Sequence, residues 1–117
     1  MELASYKGKG EIGSVVSRLI NHIENSAITA TLMQRNSHMI DGHLMIVLGF
    51  EKYFYRSSNQ AMLTIIIVEN EYQELLIDVL SGGTAKGVFL KFDLGASKSF
   101  INTVHQILVQ LQFTRTK

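Results

Sequence analysis

The stretch Ala61-Met62-Leu63-Thr64-Ile65-Ile66-Ile67-Val68 decides the fold. Three consecutive isoleucines and a valine favour β structure, because branching at Cβ costs χ1 freedom in a helix and packs well on a pleat. The run is too short for a membrane span, which needs about 20 apolar residues. Both of its faces are apolar: Leu63, Ile65 and Ile67 on one, Met62, Ile66 and Val68 on the other. A strand of this kind sits inside a sheet with cover on each side.

The neighbouring segments alternate in the same way. His43 to Tyr55 reads as a long strand, with Leu44, Ile46, Leu48 and Phe50 on one face. Met45, Val47, Tyr53 and Tyr55 take the other face, and Gly49 marks a bulge or bend. Asp41-Gly42 before it suits a hairpin turn, whose central residues need positive φ. Arg35 to Gly42 is polar and reads as a loop, while Ala27 to Met33 alternates as a half-buried strand. Arg56 to Asn59 turns the chain back into the Ala61 strand. After the Glu69-Asn70-Glu71 turn, Tyr72 to Leu80 sets Leu75, Ile77 and Val79 against Glu74, Leu76, Asp78 and Leu80. Ser81-Gly82-Gly83-Thr84 reads as a turn, and Gly87 to Phe92 as a last strand.

Two segments carry helical periodicity. Ile12, Val15, Val16, Leu19, Ile20 and Ile23 trace one stripe of a 3.6-residue helix. Glu11 suits the positive end of its dipole, and Asn25 and Ser26 its stop. Phe100, Val104, Ile107, Leu108 and Leu111 trace the second stripe, capped by Ser97 or Asp93. Residues 2 to 7 form a short first strand, which Gly8 and Gly10 end. Thr114 to Lys117 reads as a frayed tail. The order is β-α-β-β-β-β-β-α. Short loops between consecutive strands make the sheet mainly antiparallel. This predicts an α+β fold: a two-layer sandwich, residues 1–117 as a single domain, five to six strands with two helices on one face.

Composition narrows the function classes. With 117 residues and no cysteine, a core suffices without staples, and thiolate metal sites and cysteine nucleophiles are excluded. A net charge of +1 gives no global case for nucleic acid or an anionic membrane. The segment Met1 to Lys7 has no apolar h-region, so we expect no signal peptide and a cytoplasmic protein.

Several stretches resemble a family of small uncharacterised bacterial proteins, a domain of unknown function. They are Ile28 to Leu32, Phe50 to Tyr55, Ser81-Gly82-Gly83 followed by Gly87 to Phe92, and the closing helix with Ser99-Phe100-Ile101. The resemblance spans about Tyr6 to Leu111. It implies a bacterial, soluble, single-domain protein and carries over no catalytic residue.

Read for chemistry, the residues offer little. Ser81 to Gly87 has glycines and Lys86, but it leads into a strand, unlike a phosphate-binding loop. Lys86 to Phe92 is one residue short of an RNA-recognition strand and has Val88 at a stacking position. Lys52, Tyr53, Tyr55, Arg56 and Lys91 sketch a basic-aromatic face, but register-pinning aromatic pairs explain it more simply. His38, Asp41 and His43 cluster at a turn as polar residues, and no metal is expected. His22 and His105 flank apolar stripes as boundary residues. Nothing buries one of Glu69, Glu71, Glu74 or Asp78 as a general acid. No serine sits in a nucleophile elbow. We therefore expect no catalysis and no cofactor.

Two helices of about 10 Å diameter cover only one side of such a sheet. The other side carries Met45, Val47, Tyr53, Met62, Ile66, Val68, Leu76, Leu80 and Phe89, with Thr64 among them. These are the candidate interface of a homodimer, and an interaction or assembly module is the expected function. The alternative is an apolar small-molecule binder of helix-grip plan, followed by a single-stranded nucleic-acid binder.

Overall fold

The computed structural model describes residues 2–27, 29–54, 59–85 and 96–117. In chain order the elements are β1 (Glu2–Lys9), α1 (Ile12–Asn25), β2 (Thr31–Ile40), β3 (His43–Phe54), β4 (Asn59–Glu69), β5 (Glu74–Ala85), α2 (Ala96–Gln110) and β6 (Thr114–Arg115). The strands form one sheet in the order β2-β3-β4-β5-β1-β6, and every pair is antiparallel. This is the expected α+β fold, with β4 central.

Both helices pack on one face. Leu48, Ile65, Val79 and Ala4 align across β3, β4, β5 and β1, and all four are buried. Ile46, Ile67, Ile77 and Tyr6 make the next such row. Val16, Leu19 and Ile23 of α1, with Phe100, Val104 and Leu108 of α2, complete the core. Leu44, expected among the buried residues, is only partly covered. α1 begins where expected: Glu11 accepts the Ser14 backbone N–H as its N-cap. Its end falls at Asn25, with Ser26 capping.

Four local readings are corrected. The strand expected over Ala27–Met33 is β2, Thr31–Ile40, and it takes in most of the polar stretch read as a loop. Almost all of β2 is solvent-exposed, because α1 meets only its first residues, where Glu24 accepts the Leu32 backbone N–H at 3.2 Å. Its polarity records water on both sides rather than a loop. A register shift between Leu32 and Gln34 marks a bulge at Met33. Ser81 to Thr84, read as a turn, continues β5, with Gly82 opposite Met62 and Gly83 opposite Ala61. Gly8 also continues its strand, paired with Leu75. The segment after α2 is not frayed: Tyr6 pairs with Arg115 and Lys7 with Thr114. The expected Gly87–Phe92 strand, its residue Phe89, the Arg56 turn and the Asp93 cap lie outside the described residues.

One part-buried polar pair joins the layers. The Tyr6 hydroxyl lies 2.8 Å from Nδ1 of His105 on α2, which is half-buried at the margin of the core as the boundary residue expected. Burial raises the Tyr6 phenol above its usual range, partly opposed by Arg115. A raised folded-state value means the native chain keeps the proton after the unfolded chain has lost it. The Tyr6 contribution is therefore full below about pH 10 and lost as pH rises through the folded value. Tyr6→Phe should lower the melting temperature at neutral pH, at a cost of about 1–2 kcal/mol for the orphaned imidazole. It should also flatten the fall in melting temperature from about pH 9 to about pH 11. An unchanged alkaline slope would show that another group sets it.

Candidate functional site

The face of the sheet turned away from the helices is built in rows by strand register. Met45, Val68, Leu76 and Lys7 make the first row across β3, β4, β5 and β1. Val47, Ile66, Asp78 and Ser5 make the second, and Gly49, Thr64, Leu80 and Leu3 the third. Glu51, Met62 and Gly82 follow, then Tyr53 and Gln60. Side chains on one face of a strand recur every second residue, so these rows stand on one surface. Eight of the expected interface residues are thereby brought together: Met45, Val47, Tyr53, Met62, Ile66, Val68, Leu76 and Leu80.

The surface is apolar and open to water. Met62 is 61% exposed, Leu3 60% and Leu76 41%. The sequence supplies β-branched and long apolar residues at both parities of β4, which is why this face is not polar as on an ordinary one-sided sheet. A shallow cleft of about 280 Å³ lies within it, lined by Leu3, Ser5, Ile66, Asp78, Leu80 and Lys117.

The charges sit at its margins and one place inside. Asp78 accepts a hydrogen bond from the Ser5 hydroxyl at 2.7 Å. Glu51 accepts one from the Gln60 amide. Lys7 reaches Glu74 at 3.5 Å, and Lys9 stands opposite Glu74 in register. The Asn70 amide, 3.2 Å from Glu74 Oε1, holds that carboxyl below its usual range, helped by Lys7 and Lys9. One corner of the face is thus basic, and the diagonally opposite one carries Glu51. Sequence reasoning found the apolar residues but missed this arrangement, because it depends on which strand β1 joins.

The other candidate residues are not assembled into a centre. Lys52 is buried on the helix face, its ammonium 5.8 Å from the Phe100 ring centroid, while Tyr53 lies on the open face. Strand alternation therefore separates the two described members of the supposed basic-aromatic face. Burial lowers the Lys52 amine below its usual range. His38 lies opposite Met45 and His43 opposite Ile40, on adjoining strands. Among the described residues, no group of three or more His, Asp or Glu side chains could hold a metal ion. The Ser81 hydroxyl and the His22 Nε2 are buried and without a hydrogen-bond partner. Tyr6, Phe50, Phe100 and Leu108 pack the layer between sheet and helices. No helix among the described residues is long and apolar enough to cross a membrane.

Compared with known families, the chain matches a family of unknown function, DUF6054, over residues 1–112. No curated protein matches it.

Proposed function

Because the chain belongs to DUF6054, whose function is unknown, we propose a role from its surface: a non-catalytic assembly module that pairs with another folded chain through the open sheet face, as a homodimer. The observation that carries this is the register. It sets Met45, Val47, Met62, Ile66, Val68, Leu76 and Leu80 side by side on a face without helices.

Magnitudes support the reading. Four strands by four rows span about 500–600 Å² at standard strand spacings. Apolar side chains hold eight of the fifteen described positions there, Met45, Val47, Met62, Ile66, Val68, Leu76, Leu80 and Leu3, and polar residues and glycine hold the rest. Two copies face to face would bury about 1,000–1,200 Å², enough for a specific interface. A two-fold pairing uses one patch twice, so no second complementary surface is required. The resemblance to small bacterial proteins and the cysteine-free composition support a reducing, cytoplasmic setting.

Light scattering at micromolar concentration tests it. The expected mass is twice 13.1 kDa. Ile66→Lys should return it to the monomer value with the far-UV spectrum unchanged, because Ile66 faces away from the core. A monomeric wild type, or a dimer untouched by Ile66→Lys, would overturn the reading.

A further inference from the structure

We infer that the two copies dock crosswise, about a two-fold axis that sets Lys7 of each against Glu51 of the partner subunit. This rests on the proposed association surface and specifies how its occupant, a second copy of this chain, is seated.

Strands in a sheet lie about 4.8 Å apart, and alternate residues about 6.8 Å apart along each strand. Lys7 and Glu51 stand three strands and three rows apart, at opposite corners of the apolar field and about 25 Å from each other on those spacings. Their midpoint falls between Ile66, Thr64, Asp78 and Leu80, at the centre of the patch. A two-fold axis through that point, in the plane of the interface and perpendicular to the diagonal, exchanges the corners. The two sets of strands then cross steeply, in the orthogonal class of sheet packing.

Other axes fare worse. A two-fold along the strands lays Lys7 over Met45 of the partner subunit. One across the strands lays Glu51 over the same residue. The first leaves Lys7 against an apolar side chain with only its own chain's Glu74 for a counter-charge, and the second desolvates Glu51 against an apolar side chain. The diagonal axis pairs opposite charges at both corners, and like-with-unlike placement fixes orientation in protein interfaces.

The same operation accounts for Asp78, a carboxylate in the middle of an apolar field. It takes the Ser5 hydroxyl at 2.7 Å, and once water leaves, its remaining acceptor sites need donors. The diagonal axis brings Thr64 of the partner subunit, with a hydroxyl to donate, opposite it. Ile66 falls next to the axis and meets its own copy, so the most central contact is apolar.

The experiment is a charge swap read by sedimentation over a dilution series. Lys7→Glu and Glu51→Lys should each raise the dimer dissociation constant about tenfold or more, since a two-fold repeats each clash. The double variant should bring it back to within about threefold of wild type. Glu74→Gln removes the intramolecular partner of Lys7 and should not weaken the dimer. If the single variants dimerise like wild type while Ile66→Lys still dissociates, the crossed arrangement is wrong and the association surface stands. A double variant as weak as the sum of the singles overturns the pairing equally. A wild type without a dimer, or a dimer that Ile66→Lys leaves intact, removes the surface and the arrangement together.

Discussion

Ile65→Asp is expected to abolish the cooperative thermal transition at neutral pH. Ile65 is fully buried, held between Leu48 and Val79 in register, under the helix layer. The substitution removes an apolar side chain worth about 1.5–3 kcal/mol of burial. It also puts a carboxyl where no donor waits, which costs several kcal/mol more even after its pKa rises. The total approaches the about 5–15 kcal/mol that holds a domain of this size together. The neighbouring position gives the control. Ile66 projects to the opposite face, so Ile66→Lys should still melt cooperatively, as a folded monomer that has lost only the dimer's contribution to stability. Circular dichroism at the helix minimum separates the two. A native-like melt of Ile65→Asp would mean that the helices cover the other side of the sheet.

That contrast between adjacent residues was legible in the sequence, because strand alternation is a strict period of two. The helix-facing set was legible for the same reason, as was α1, whose six apolar positions keep one stripe. What was not legible has particular causes. β2 is polar because beyond Leu32 neither of its faces is covered, and an uncovered strand looks like a loop when polarity is the guide. The β5 extension through Ser81, Gly82 and Gly83 was hidden because glycine pairs weaken a strand and mark turns more often than they fill strands. β6 has two residues, too few for any period. It forms because α2 stops in a Schellman-type turn: the Phe113 N–H bonds to Leu108 C=O at 2.9 Å and the Gln112 N–H to Val109 C=O at 3.0 Å. Gln112 takes a φ of 66° there. Glycine is the usual residue at that position, so glutamine gave no signal.

The candidate surface was half legible. Alternation alone named its apolar residues. The positions of Lys7, Lys9 and Leu3 beside β5 depend on the pairing of β1 with β5, across 65 to 77 residues of chain, which no local pattern specifies. Charge placement on the surface is therefore a property of topology. The charge swap reads this placement and Ile66→Lys reads the apolar field, so the two experiments are separate.

Gly8→Ala is expected to lower the melting temperature by about 10 °C, at about 4 °C per kcal/mol for a chain of this length. Gly8 sits on the helix-facing side of β1, next to Tyr6, and the ring of Phe113 lies directly on it. A Cβ built at Gly8 would fall 2.6 Å from Phe113 Cδ2 and 2.7 Å from its Cγ. Contact with Cγ cannot be relieved by swinging the ring tip aside; the side chain must leave its place. Phe113 is buried at 5% exposure, and it is the residue that follows the turn ending α2. Displacing it loosens the β1–β6 pairing and the hydrogen bond from the Thr116 N–H to Ser5 C=O, 2.8 Å long. Overpacking typically costs about 1–3 kcal/mol, and losing a buried phenylalanine about 3–5. Phe113→Ala should thus destabilise by a similar or larger amount. The double variant should cost clearly less than the sum, since both changes act through one contact. Amide exchange at Thr116 should quicken in each single variant while that of Ile65 follows global stability. Full additivity, or a Gly8→Ala protein that melts like wild type, would show that Phe113 does not seat on β1.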